Sequence, residues 1–128
     1  MADSKTFNGF PVQNLSSDST SVGQIYYNST SGQFKAVKTS GFTAVAGEGY
    51  FCNTSSAAFT GTLPAGTLGD EITFIDYAGT FDTNNLTIAP NGSEKIMGTA
   101  ASLTVSIERA GLTLVYTDGT QGWLLKDK

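Results

Sequence analysis

Asp70 and Glu71 are adjacent carboxylates, followed by Asp76 and Asp82, and the chemistry such a set suggests is a glycosidase-like acid and nucleophile. That chemistry needs two carboxyl groups facing one sugar from roughly 5 to 10 Å apart. Neighbours on a strand point to opposite faces, which separates Asp70 from Glu71. Asp70 and Asp76 share a parity but stand about 20 Å apart along an extended strand. Asp70, directly after Gly69, reads instead as a turn residue at the entry to a strand. Asp82-Thr-Asn-Asn85 offers oxygens in a loop, too few for the six or more ligands of a calcium site, and reads as a turn bonding its own backbone. Cys52 in the Tyr50-Phe-Cys-Asn53 run has no base or cation beside it in sequence to lower its pKa, and reads as a small buried hydrophobe. The chain has no His, which closes imidazole chemistry and His-ligated metal sites, and its single Cys forms no internal disulfide. No catalytic, metal-binding or cofactor-binding residue emerges.

Aromatic side chains form the other chemical set. Tyr26, Tyr27, Tyr50 and Trp123 have the ring faces that stack on sugars. Trp123 beside Leu124 and Leu125 reads more simply as the packing of a closing strand, and Tyr26-Tyr27 places one ring on each face of a strand. With Phe7, Phe10 and Leu15 on a polar N-terminal background, Tyr26 and Tyr27 are the interface candidates. The net charge of −4, with Lys and Arg scattered singly, gives no basic stripe for nucleic acid. Polar residues interrupt the uncharged stretch between Glu48 and Asp70 too often for a membrane-spanning helix.

The elements that would carry these residues are strands. Eighteen Thr and 13 Ser stand beside 18 charged residues in 128, a balance that favours sheets and turns over helices. Gln24–Asn28 and Gln33–Lys38 flank Ser29-Thr-Ser-Gly32 as a hairpin. Further runs fall at 41–46, 49–53, 57–63, 70–77, 86–89, 95–97, 102–107, 112–117 and 122–126. In 70–77, Ile72 and Phe74 face one way and Thr73 and Ile75 the other. Leu103, Val105 and Ile107 alternate with Ser and Thr, as do Leu112, Leu114 and Tyr116 with their neighbours, the period of strands with one buried face. Asn91-Gly92, Asp118-Gly119, Ala110-Gly111 and Ala78-Gly79 supply tight reversals, and no internal repeat is evident. The expected fold is all-β: an antiparallel β-sandwich or barrel-like knob over 41–128, preceded over 1–40 by an extended arm and a hairpin.

Two stretches resemble a known family. Gly23-Gln-Ile-Tyr-Tyr-Asn-Ser-Thr-Ser-Gly-Gln-Phe-Lys35 resembles a hairpin of tail-fibre and virion proteins of tailed bacteriophages. From Gly49 to Trp123, the order Thr62-Leu-Pro64, Gly69-Asp-Glu-Ile72, Leu86-Thr-Ile88, Pro90-Asn-Gly92, Ile96-x-Gly98 and Gly122-Trp123 resembles a small β-domain of phage fibres and appendages. The resemblance implies a non-enzymatic virion structural protein, a homotrimer exposed on the particle and assembled in the host bacterial cytoplasm. A chain of this length has no room for a fibre shaft, so the expectation is a short fibre, a capsid decoration protein or a baseplate accessory. Its partners would be other virion proteins of the capsid, neck or tail, met through Phe7, Phe10 and Leu15. The alternative is a carbohydrate-binding adhesin module recognising a host-surface glycan.

Overall fold

The computed structural model describes residues 33–127. By its contacts the chain divides into two units, residues 1–33 and 34–128, and the second is the β-domain described here. Phe7, Phe10, Leu15, Tyr26 and Tyr27, and the first arm of the hairpin with its turn, lie outside the described residues.

Among the described residues nine strands are present: β1 (Phe34–Lys38), β2 (Phe42–Thr43), β3 (Gly49–Cys52), β4 (Phe59–Thr62), β5 (Glu71–Asp76), β6 (Leu86–Ala89), β7 (Leu103–Val105), β8 (Gly111–Tyr116) and β9 (Trp123–Asp127). They form a five-stranded sheet, β9-β8-β5-β3-β1, and a four-stranded sheet, β2-β4-β6-β7. The period-2 reading holds for β5, where Ile72 and Phe74 are fully buried; in β8 Leu112 and Leu114 are buried as expected, but Thr113 between them is buried too. It fails at Ile107, which is 70% exposed because β7 ends at Val105 and the chain then turns.

The domain is all-β as expected, but its strands are not all antiparallel. From β1 to β6 the chain alternates between the two sheets, and on each return the new strand lies parallel to the last one in that sheet: β1 with β3, β3 with β5, β2 with β4, β4 with β6. A chain that winds in one sense and revisits a sheet arrives in the same direction, as in a solenoid. Among the described strands, antiparallel pairing appears only at the closure, where β7 pairs with β6 and the β8–β9 hairpin caps β5. Among the glycine turns named above, Asp118-Gly119 does join a hairpin, with Tyr116 opposite Trp123. Ala78-Gly79 and Ala110-Gly111 carry the chain between sheets instead.

The core lies between the sheets. Tyr50, Ile72, Phe74, Leu114 and Trp123 of the larger sheet meet Leu86, Ile88 and Val105 of the smaller. Phe42 bridges them, its ring centroid 4.7 Å from Tyr50 and 6.4 Å from Phe74. Trp123 is fully buried with Tyr116 edge-on at 5.4 Å, and its indole N–H meets no acceptor among the described residues. It therefore contributes area and shape to the closing strand rather than a polar contact.

Candidate functional site

The four carboxylates are dispersed by the fold. Asp70 is the turn residue expected, its Oδ2 accepting the Thr67 N–H at 3.0 Å and its own N–H donating to the Thr67 carbonyl. Glu71 faces Lys126 in an exposed ion pair at 3.3 Å. The 82–85 loop bonds the protein's own backbone: Asn84 Nδ2 donates to the Thr54 carbonyl at 2.8 Å, and the Asn84 and Thr83 N–H groups donate to the Thr80 carbonyl.

Asp76 has a role that strand parity alone does not reveal. It closes β5 with only 3% of its surface exposed. Its Oδ1 accepts the N–H groups of Gly79 and Thr80, and its Oδ2 those of Phe81 and Arg109, at 2.9 to 3.1 Å. Burial pushes the carboxyl pKa up, but the four backbone donors outweigh it and hold the group below its ordinary value. The Asp76 N–H in turn donates to the Ala110 carbonyl. One residue thus pins the 77–81 turn and the 106–110 turn together. The signal legible in sequence is an Asp three residues before a Gly at a strand end, the pattern of a side chain bonding the following turn.

The 106–110 turn walls an apolar groove of about 540 Å³. Leu103 and Val105 of β7, Ile107 and Ala110 of the turn, Leu112 of β8 and Leu125 of β9 line it. Val105 and Leu112 are buried, Leu103, Ala110 and Leu125 half-buried, and Ile107 exposed. Arg109 at its end adopts φ +62°, a left-handed conformation that costs a non-glycine residue about 1–3 kcal/mol. Asp76 holds its N–H, and its own Nη1 donates to the Tyr77 carbonyl at 3.0 Å. The turn is therefore over-determined from both sides and the groove wall is fixed in advance.

The remaining candidates are core residues. Cys52 is fully buried, and burial, with the Asp76 charge adding to it, pushes its thiol up to about 12. It is neutral at physiological pH and packs as a small hydrophobe. Tyr50 is 2% exposed; burial and the bond its hydroxyl donates to Glu48 push its pKa up to about 12, while that hydroxyl accepts the Val45 N–H. Tyr50 and Trp123 are thereby removed from any sugar-stacking surface.

The buried carboxylate of Asp76 is thus spent on backbone donors, and an apolar groove lies open beside the 106–110 turn. Residues 8–122 match the sequence model of the family described as Bacteriophage T4 gp9/10-like protein, N-terminal. The chain belongs to that family. It is 33% identical over 93 residues to the Baseplate wedge protein gp10 of Enterobacteria phage T4, a match taking in 70% of this chain and 14% of that protein.

Proposed function

We propose that this chain is a non-enzymatic structural component of a phage tail baseplate, attached to the particle by its N-terminal segment and presenting its β-domain outward as one copy of a homotrimer. The carrying observation is the family match from residue 8 to residue 122, supported by the likeness to a baseplate wedge protein. Together these favour the tail over a capsid decoration site. Attachment falls to residues 1–40, with Phe7, Phe10 and Leu15 as anchors and Tyr26 and Tyr27 at the interface, and the outward role to residues 41–128. Strand β1 lies within the first range and is paired along β3, so the attachment segment joins the domain through a strand of its larger sheet.

The mechanism is burial of a few apolar anchors in a neighbouring virion protein. Each buried Phe contributes about 1.5–3 kcal/mol, and three linked arms multiply weak single contacts. Replacing Phe7→Ala together with Phe10→Ala is expected to lower incorporation into purified virions by about tenfold or more, scored by immunoblot against the major capsid protein. Wild-type incorporation of the double variant would refute arm docking. The adhesin alternative has lost two of its four aromatics to the core, and Tyr26 and Tyr27 are those left to it.

A further inference from the structure

We propose that Asn91 is a site of spontaneous covalent modification, at which the Gly92 nitrogen closes on the Asn91 side chain and water opens the ring to leave a carboxylate. The reaction needs only the chain and water, and it does not depend on the baseplate reading. The Gly92 nitrogen forms a bond to Asn91 Cγ, the Cγ–Nδ2 bond breaks, and the proton lost by Gly92 leaves with the amide nitrogen as ammonia. Water then adds to one of the two carbonyl carbons of the five-membered ring. Opening at Cγ gives aspartate, and opening at the main-chain carbonyl gives isoaspartate, whose backbone runs through the former side chain. In the net reaction one amide and one water become one carboxylate and one ammonium ion.

The fold singles out this asparagine among those described. Asn91, Gly92 and Ser93 are all exposed, and among the described residues neither the Asn91 side chain nor the Gly92 N–H is hydrogen-bonded. The attacking nitrogen and the amide it attacks are therefore both free. Gly92 has φ +57°, and a Cβ there would meet nothing within 4 Å, so no side chain or neighbour obstructs the approach to Cγ. The other three are restrained. Asn53 Oδ1 accepts the Ser55 N–H and hydroxyl, and the residue after it, Thr54, is fully buried. Asn84 Nδ2, the nitrogen that would have to leave, donates to the Thr54 carbonyl. Asn85 precedes Leu86, which is fully buried and paired with a strand on each side. The product acts on a neighbouring contact. Glu94, whose N–H donates to the Asn91 carbonyl at 3.0 Å, also accepts the Gly66 N–H on its carboxylate at 3.1 and 3.3 Å, and Gly66 lies too close to the Tyr116 ring for any Cβ. A carboxylate at position 91 repels that of Glu94, and the isoaspartyl form adds a main-chain carbon to the turn. Conversion therefore weakens the hold on the 64–69 loop.

The test incubates the folded full chain at mildly alkaline pH, where more of the Gly92 amide is deprotonated, and maps its peptides over time by mass spectrometry. Position 91 should convert at least about tenfold faster than positions 53, 84 and 85, and within about tenfold of its rate in a synthetic peptide spanning Ala89 to Lys95. Peptide mapping keeps it apart from Asn8-Gly9, which lies outside the described residues. Asn91→Gln, whose ring would have six members, should remain unconverted over the same period. In the converted chain, separated by its added charge, hydrogen exchange at the Gly66 amide should be at least about threefold faster than in the fresh chain. Conversion at position 91 no faster than at the other three, or more than about tenfold slower than in the peptide, would overturn the site. Unchanged exchange at Gly66 in the converted chain would overturn its coupling to the 64–69 loop.

Discussion

Asp76→Ala is expected to destabilise the β-domain by about 3–4 kcal/mol, a fall in Tm on the order of 15 °C. The substitution strips the acceptor from four backbone N–H groups at once. Water re-solvates those at the exposed end of the turns, whereas the Phe81 N–H is buried and stays unsatisfied. Arg109 also loses the bond that compensates its left-handed backbone, so the 106–110 turn should loosen before the sheets do. Asp76→Asn keeps one carbonyl oxygen and hence one pair of donors, and about half the loss is expected. Chemical denaturation of the three proteins at neutral pH measures this directly. The pH dependence follows in sign. The folded carboxyl pKa lies below its unfolded value, so its contribution is complete above about pH 4 and is lost as the pH falls through the folded value. Wild type should therefore lose stability on acidification more steeply than Asp76→Ala.

Gly122→Ala is expected to cost about 3 kcal/mol or more, and Gly119→Ala in the same hairpin loop less than about 0.5. Gly122 has φ +74°, and a Cβ there would fall inside the van der Waals shell of the Lys95 carbonyl oxygen. That carbonyl cannot step aside, because it accepts the Trp123 N–H at 2.9 Å. The Gly122 carbonyl accepts the Thr117 N–H and its N–H donates to the Asp118 carbonyl, so the residue is fixed on both sides. Any shift that relieves the clash displaces Trp123, one of the largest fully buried side chains. A Cβ at Gly119 meets nothing within 4 Å. Thermal melts of the pair separate this steric account from a general sensitivity of the loop, which would make the two losses equal.

The sequence made the strands visible and left their direction hidden. Alternation in Ile72/Phe74 and Leu112/Leu114 depends only on which face is buried, and that is local. Strand direction depends on the path between strands, and here the connecting segments differ in length. Phe34 aligns with Gly49 and Gly49 with Thr73, while Phe42 aligns with Gly61 and Gly61 with Ile88, so the winding repeats without a fixed sequence period. Gly79 and Gly111 sit in turn-like sequences that look the same whether the chain doubles back or crosses between sheets. Asp70 and Trp123 were legible because their roles come from immediate neighbours. Asp76 was legible only in part: its Gly79, Thr80 and Phe81 donors lie within five residues, as an Asp before a turn glycine suggests, whereas Arg109 comes from 33 residues away. The groove was hidden for a related reason: Ile107 continues the alternation of Leu103 and Val105 in sequence, yet the strand has already ended.

The central claim, that this is a structural part of a phage baseplate, is tested most directly by a cryo-electron microscopy map of the intact particle with this chain traced. The two-sheet domain is expected at the baseplate, in three copies around a local axis. A particle that lacks the chain, or carries it only on the capsid, would contradict it.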